Sequence, residues 1–277
     1  MQKKIQLILL LGAAACLTYI IYQLPIANTG KAKTDSDSTK TTNTVTDTLN
    51  WSKYAEQVKA KYLPLQVEEI VKLENEFKKT PSVAAADSLA VQWDAKEQFG
   101  LAAWYKEEKA KMEPNEKNYI DAAYRYFDAY KVAESEAERA AMVQASIRNY
   151  TTVLKLNPAN LNAQCDLGIL YAEGTNDPMK GIMMLREVVK KDSLHENAQM
   201  NLGLLSMKSN QFVKAIDRFK TVLTINPGRI ETYIYNAQAY LALNDTMQAK
   251  ESFKLFLANN RNKELQQQVE GWLKELE

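Results

Sequence analysis

The chain has 277 residues, 46% of them hydrophobic, with 35 Lys and Arg against 34 Asp and Glu, a formal net charge of +1. That is enough apolar material for a sizeable core, and the near balance of charge argues against a nucleic-acid surface, which needs a basic excess on one face. Only nine Gly and seven Pro occur, and no long run alternates apolar with polar residues, so helices are expected and strands are not.

The chain opens with Met1-Gln2-Lys3-Lys4 and an apolar run over 5–24, broken only by Gln6, Thr18 and Gln23. Twenty helical residues span about 30 Å, the thickness of a hydrocarbon core. Lys3, Lys4 and the amino group on the short side favour an N-inside orientation, a bias weakened by Lys31 and Lys33. Residues 1–27 therefore read as an uncleaved membrane anchor. Two alternatives stand beside it. Ala13-Ala14-Ala15-Cys16 loosely resembles a lipoprotein processing box, although Ala13 stands where Leu is usual and the chain stays apolar through Ile21. A cleaved secretory signal is the other, for which the run is long. Residues 28–50 are rich in Thr, Ser, Asp and Lys and nearly free of large apolar side chains. Such a segment cannot bury enough surface to fold. It reads as a tether with a reach of roughly 25 Å.

Residues 51–118 read as a helical extension. The stretch 51–79 carries Tyr54, Val58, Tyr62, Leu65, Ile70, Leu73 and Phe77 among charges, with Pro64 expected to break it. A second stretch, 82–112, shows a broad apolar face and closes at Glu113-Pro114-Asn115. Residues 119–133 add Tyr124, Tyr126, Phe127 and Tyr130. Two or three helices are expected up to this point; spacing alone leaves open whether they are diverged repeats. The aromatic concentration fits the core of a helical stack, with a binding or self-associating surface as the other reading.

From there a phrase recurs about every 34 residues, the period of stacked helical hairpins. Leu167-Gly168, Tyr171, Ile182, Leu185 and Val188 are followed by Leu202-Gly203, Ala215, Ile216, Phe219, Val222 and Pro227, then by Asn236-Ala237, Tyr240, Ala249, Phe253 and Phe256. A partial copy, Ile147, Tyr150, Val153 and Asn157-Pro158, lies two periods before Ile216, Phe219, Val222 and Asn226-Pro227. Leu167 and Tyr171 share one helix face. Gly168, Gly203 and Ala237 are expected opposite Gly181, Ala215 and Ala249, letting paired helices approach closely. Pro158 and Pro227 end the second helix of each pair. The units fall at 119–160 (degenerate), 161–194, 195–228 and 229–261. A last helix, 262–277, with Leu265, Val269, Trp272, Leu273 and Leu276 on one face, reads as the cap a repeat array needs.

Leu-Gly, Tyr, Ala, Phe and a closing Pro at these spacings resemble the tetratricopeptide repeat (TPR), over roughly 119–260 and most clearly over 161–260. The match departs at Gln164, Gln199 and Tyr233, where Trp is usual, at Ser206, and in the extra residue within 173–178. The resemblance implies an all-α, right-handed α-solenoid of helix hairpins, here with a C-terminal capping helix and an N-terminal transmembrane helix. It implies a protein or peptide partner held in a concave groove lined by the first helix of each unit. By position that groove displays Asn162, Cys165 and Ile169, then Asn197, Met200 and Leu204, then Glu231, Ile234 and Gln238. The family's Lys, Arg and Asn clamp for carboxylates is absent, since Cys165, Met200 and Ile234 hold the central places. A mixed apolar and amide groove suits a helix or an extended apolar peptide. The C-terminal helix or a second subunit is the competing occupant.

Five tripeptides, at Asp37-Ser38-Thr39, Asp47-Thr48-Leu49, Asp87-Ser88-Leu89, Asp192-Ser193-Leu194 and Asp245-Thr246-Met247, resemble an O-glycosylation sequon used on envelope proteins by some Gram-negative bacteria. Ser38, Thr48, Ser88, Ser193 and Thr246 would carry the sugar. Asp-Ser and Asp-Thr pairs are also favoured at N-caps and turns, where the last three are expected.

Reactive chemistry is scarce. His195 is the only histidine and lacks ligands at metal spacing. Glycine-rich phosphate loops and nucleophile elbows are missing from the sequence. Cys16 and Cys165 sit in unrelated contexts, so no intrachain disulfide is expected. Glu68-Glu69 and Glu107-Glu108 read as solvated faces of Lys-rich helices. No metal, cofactor or enzymatic activity is expected. The reading is a single-pass inner-membrane protein with its C-terminal domain in a Gram-negative periplasm. It would act as a scaffold or chaperone-like adaptor, with a permanent subunit of a larger envelope complex as the alternative.

Overall fold

The computed structural model describes residues 49–276. The anchor at 1–27, most of the tether, Ser38 and Thr48 lie outside the described residues. Among those described there are thirteen α-helices, one short 3-10 turn and no strand. No helix among them is long and apolar enough to cross a membrane. They form two compact units, 49–177 and 178–276.

In the first unit, α1 (Trp51–Lys59) starts where the Asn50 side chain accepts from the Lys53 amide at 2.9 Å. Pro64 ends the run as expected and opens α2 (Pro64–Lys79) at the first helical position, where its missing N–H leaves nothing unsatisfied. The stretch 82–112 is not one helix. It divides into α3 (Val83–Asp94) and α4 (Phe99–Met112), broken at Glu97, whose φ is +59°. Next come α5 (Glu116–Ala129), a 3-10 turn (Tyr130–Val132), α6 (Glu136–Leu156) and α7 (Leu161–Gly174). Asn115, Ser135 and Asn160 cap α5, α6 and α7 by accepting from the amide three residues on. From α2 onward each helix packs on its neighbour in sequence.

The aromatic segment is interior. Trp93, Leu89 and Leu101 are fully buried with Val58 and Ile70. Phe77 meets Tyr105 edge-on at 5.6 Å, and Trp51 lies 5.4 Å from Tyr126. Helix α4 runs between α3 and α5, so most of its circumference is covered. That corrects the reading of Glu107 as solvated. It is buried, accepts from the Tyr126 hydroxyl at 2.9 Å and lies 3.6 Å from Arg148. Glu68 and Glu69 are exposed, as expected. Glu74 is buried too, accepting from Tyr105 at 3.1 Å and paired with Lys59.

The second unit holds α8 (Pro178–Lys191), α9 (Glu196–Lys208), α10 (Phe212–Ile225), α11 (Glu231–Ala242), α12 (Thr246–Asn259) and α13 (Lys263–Glu275). The lone histidine has a structural post here: His195 Nδ1 caps α9, accepting from the Ala198 amide at 3.3 Å. Helix α13 lies where the last helix is expected, with Val269 and Trp272 buried against Phe253 and Phe256. The close approach at Gly203 differs from the expected small-on-small contact. A Cβ built there would meet the fully buried Phe219 ring at 2.5 Å, so an aromatic face rests on the glycine.

Three hairpins share one turn. Glu97, Asn210 and Asn244 have φ of +59°, +56° and +60°. Each is followed by an amide that closes back on the carbonyl five residues earlier: Gln98 to Trp93, Gln211 to Ser206 and Asp245 to Tyr240. Helices α3 and α5 start at Val83 and Glu116, 33 residues apart. The α3–α4 hairpin is thus built like the repeats that follow it. The sequence hid this because Glu97 stands where the later copies have Asn, which among residues other than glycine is one of those that best tolerate a left-handed backbone.

Candidate functional site

The groove positions do not form an open surface. Cys165, Met200 and Ile234, its expected centre, are buried within the chain, and Ile169 nearly so. This corrects the reading that all nine are displayed. Met200 packs on Ala215, Phe219 and Val222 and receives the Thr232 hydroxyl of α11 at 3.9 Å. Ile234 belongs to the core that α13 closes. Burial raises the Cys165 thiol well above its usual range, with the neighbouring Asp166 carboxylate adding to the shift. Asn162 and Asn197 are exposed; Leu204, Glu231 and Gln238 are half-exposed.

One rim of this face is tied down. Arg229, in the α10–α11 loop, donates to Glu196 at 2.8 Å, to Asn197 Oδ1 at 3.1 Å and to Glu231 at 3.1 Å. Asn226, just before Pro227, donates to the same Glu196 carboxylate at 3.2 and 3.3 Å. The first unit carries a counterpart. Glu116 accepts from Asn157 at 3.0 and 3.2 Å and from Asn160 at 2.6 Å. A carboxylate at the start of one first helix thus holds the loop leading into the next. The accessible part of the groove face in 178–276 is therefore Leu204 and Gln238, beside a fixed polar rim.

Of the described sequon residues, Ser193 is exposed in the α8–α9 turn, where Asp192 Oδ1 accepts from the Leu194 amide at 3.0 Å. Thr246 is half-exposed at the first position of α12, capped by Asp245. Ser88 lies in the interior of α3 instead of a turn, its hydroxyl donating to the Ala84 carbonyl at 2.9 Å. Asp87 is paired with Lys106 and Lys109 at 3.0 and 2.6 Å.

A cleft of about 270 Å³ lies between α8, α9 and α10. Helix α9 lines it with Gln199, Leu202 and Ser206, a side distinct from its groove positions. Arg186 from α8 and Arg218 from α10 face into it. Arg218 donates to Gln199 Oε1 at 2.6 Å, and the Gln199 amide in turn donates to the Ser193 carbonyl at 2.6 Å. Burial, and after it the repulsion of Arg186, pulls Arg218 below the ordinary arginine range, against a weaker opposing pull from Asp217. Nothing in the sequence marked this pair, because the two arginines sit on different helices with no shared motif.

No protein-family model matches the chain, and no curated protein matches it. Solved structures do. A crystal structure of MamA aligns at 18% identity over 66% of this chain and 94% of that one, with a TM-score of 0.50. MamA from residue 41 to its end, from Desulfovibrio magneticus RS-1, aligns at 16% identity over 65% and 96%, also at 0.50. The chain has the fold of a tetratricopeptide-repeat protein.

Proposed function

We propose that the protein is a non-catalytic scaffold or chaperone-like adaptor that binds other proteins through its repeats. The observation that carries this is how three tyrosine-paired acids are used. Glu74, Glu107 and Asp166 each accept from a tyrosine hydroxyl of a neighbouring helix, so they stitch hairpins together instead of converging on a substrate. What the repeats offer outward is surface: Asn162, Asn197, Leu204 and Gln238, and the arginine cleft. In this reading the N-terminal run holds the domain at the periplasmic face of the inner membrane, and the sequon hydroxyls at Ser193 and Thr246 carry sugar. Sugar would add to the intact mass of the native protein; a mass equal to the bare sequence would remove that part.

The test is photo-crosslinking in intact cells from Leu204, which is half-exposed, in place of the buried Met200. Capture of several envelope proteins supports an adaptor. One partner at fixed stoichiometry supports a permanent subunit. Capture of nothing, or of cytoplasmic proteins alone, overturns the reading.

A further inference from the structure

We propose that the cleft between α8, α9 and α10 is a second docking site, which takes a carboxylate side chain from an acidic segment of a protein partner. It is separate from the groove face: α9 turns Gln199, Leu202 and Ser206 toward it, whereas Asn197 and Leu204 lie on the groove face. Two guanidinium groups converge there, and no ion pair joins either of them to a carboxylate among the described residues. Elsewhere Arg125, Arg139, Arg148 and Arg229 each have such a partner. Arg186 is exposed and Arg218 half-buried, and an anion bound between them would relieve the repulsion that Arg186 exerts on Arg218.

Arg218 is positioned for this. Its hydrogen bond to Gln199, itself tied to the Ser193 carbonyl, fixes the guanidinium while leaving its charge unneutralised. A guanidinium presents parallel donors that match the two oxygens of a carboxylate. The volume suits one or two side chains and falls below the range of sites for larger small molecules. Ile182, Leu202 and Leu205 give one wall an apolar character that fits the methylenes of a glutamate or an aliphatic neighbour. Asp217, whose carboxylate pulls weakly on Arg218, and Lys214, which donates to Gln211 at 2.7 Å, also line the cleft. A lone phosphate would use the arginines and leave the apolar wall bare.

The experiment titrates the full chain with a fluorescent peptide of alternating leucine and glutamate, and with its glutamine counterpart. The expected result is binding of the glutamate peptide only, weakened by salt. Arg186→Gln, at an exposed position that does not disturb the fold, should lower affinity about tenfold, and Arg218→Gln by at least as much. Inorganic phosphate at millimolar concentration should not displace the peptide. Equal binding of the two peptides, unchanged affinity in Arg186→Gln, or full displacement by phosphate would each overturn the proposal. Leu204→Gln, on the groove face, should leave this affinity unchanged; an equal loss there would assign the peptide to the groove.

Discussion

Gly203 and Gly271 are both helical glycines, and the structure predicts opposite responses to the same substitution. Alanine in a helix interior is favoured over glycine by about 1 kcal/mol, because glycine loses more backbone freedom on folding. Gly271 is exposed in α13 and a Cβ there meets nothing within 4 Å, so Gly271→Ala should gain most of that. At Gly203 the new methyl would stand 2.5, 2.9 and 3.2 Å from three atoms of the Phe219 ring. That ring is fully buried between Met200, Ala215 and Val222 and stacks on Tyr235 at 5.7 Å, so it has no free direction to move. Overpacking of this kind costs about 1–3 kcal/mol, which outweighs the helical gain and leaves a net loss of about 1 kcal/mol. For a chain of this size Tm should rise by about 2–4 °C in Gly271→Ala and fall by a similar amount in Gly203→Ala, followed by far-ultraviolet circular dichroism. Phe219→Leu in the Gly203→Ala background should be less damaging than the sum of the two single changes. A Gly203→Ala protein as stable as the parent would refute the reasoning, since it would mean that the ring yields freely.

Four tyrosines of the first unit, Tyr105, Tyr126, Tyr130 and Tyr150, are held above the ordinary phenol range, first by burial and then by nearby carboxylates. Their folded-state pKa values are raised, so the stability they contribute is complete below pH ~10 and is lost as pH climbs past it. Urea midpoints should drop between pH 9 and 11, with phenolate absorbance at 295 nm appearing together with unfolding; stability that stays flat over that range would contradict this. Met200→Glu should destabilise by about 3–5 kcal/mol, since it buries an unpaired charge, whereas Leu204→Glu at its half-exposed position should stay within ~1 kcal/mol; equal denaturation curves for the two would show the Met200 side to be open. Glu196→Ala removes the acceptor of Asn226 and one of the three acceptors of Arg229 and should cost about 1–2 kcal/mol, with hydrogen exchange rising first in the α10–α11 loop. Cys165 should resist alkylation until the chain unfolds, read as label on the peptide that contains it.

The sequence by itself determined the helical class, the hairpin period and the closing helix. These depend on contacts near in sequence or on positions that repeat: Leu167, Leu202, Phe219 and Phe253 recur because each hairpin buries the same face. The cap at Asp245 was legible because the bond it makes, from the Gln248 amide, spans three residues. The tertiary structure decided which faces stay open. Met200, Cys165 and Ile234 look outward on a single helix but are covered when neighbouring elements arrive, and Glu107 becomes interior because α4 is enclosed by α3 and α5. The α3–α4 hairpin escaped recognition because its turn keeps the backbone geometry of the repeats with a different residue at the left-handed position. The cleft was invisible for a related reason. Arg186 and Arg218 become neighbours only when α8 and α10 pack against α9, and periodicity along the chain carries no record of charge brought together across it.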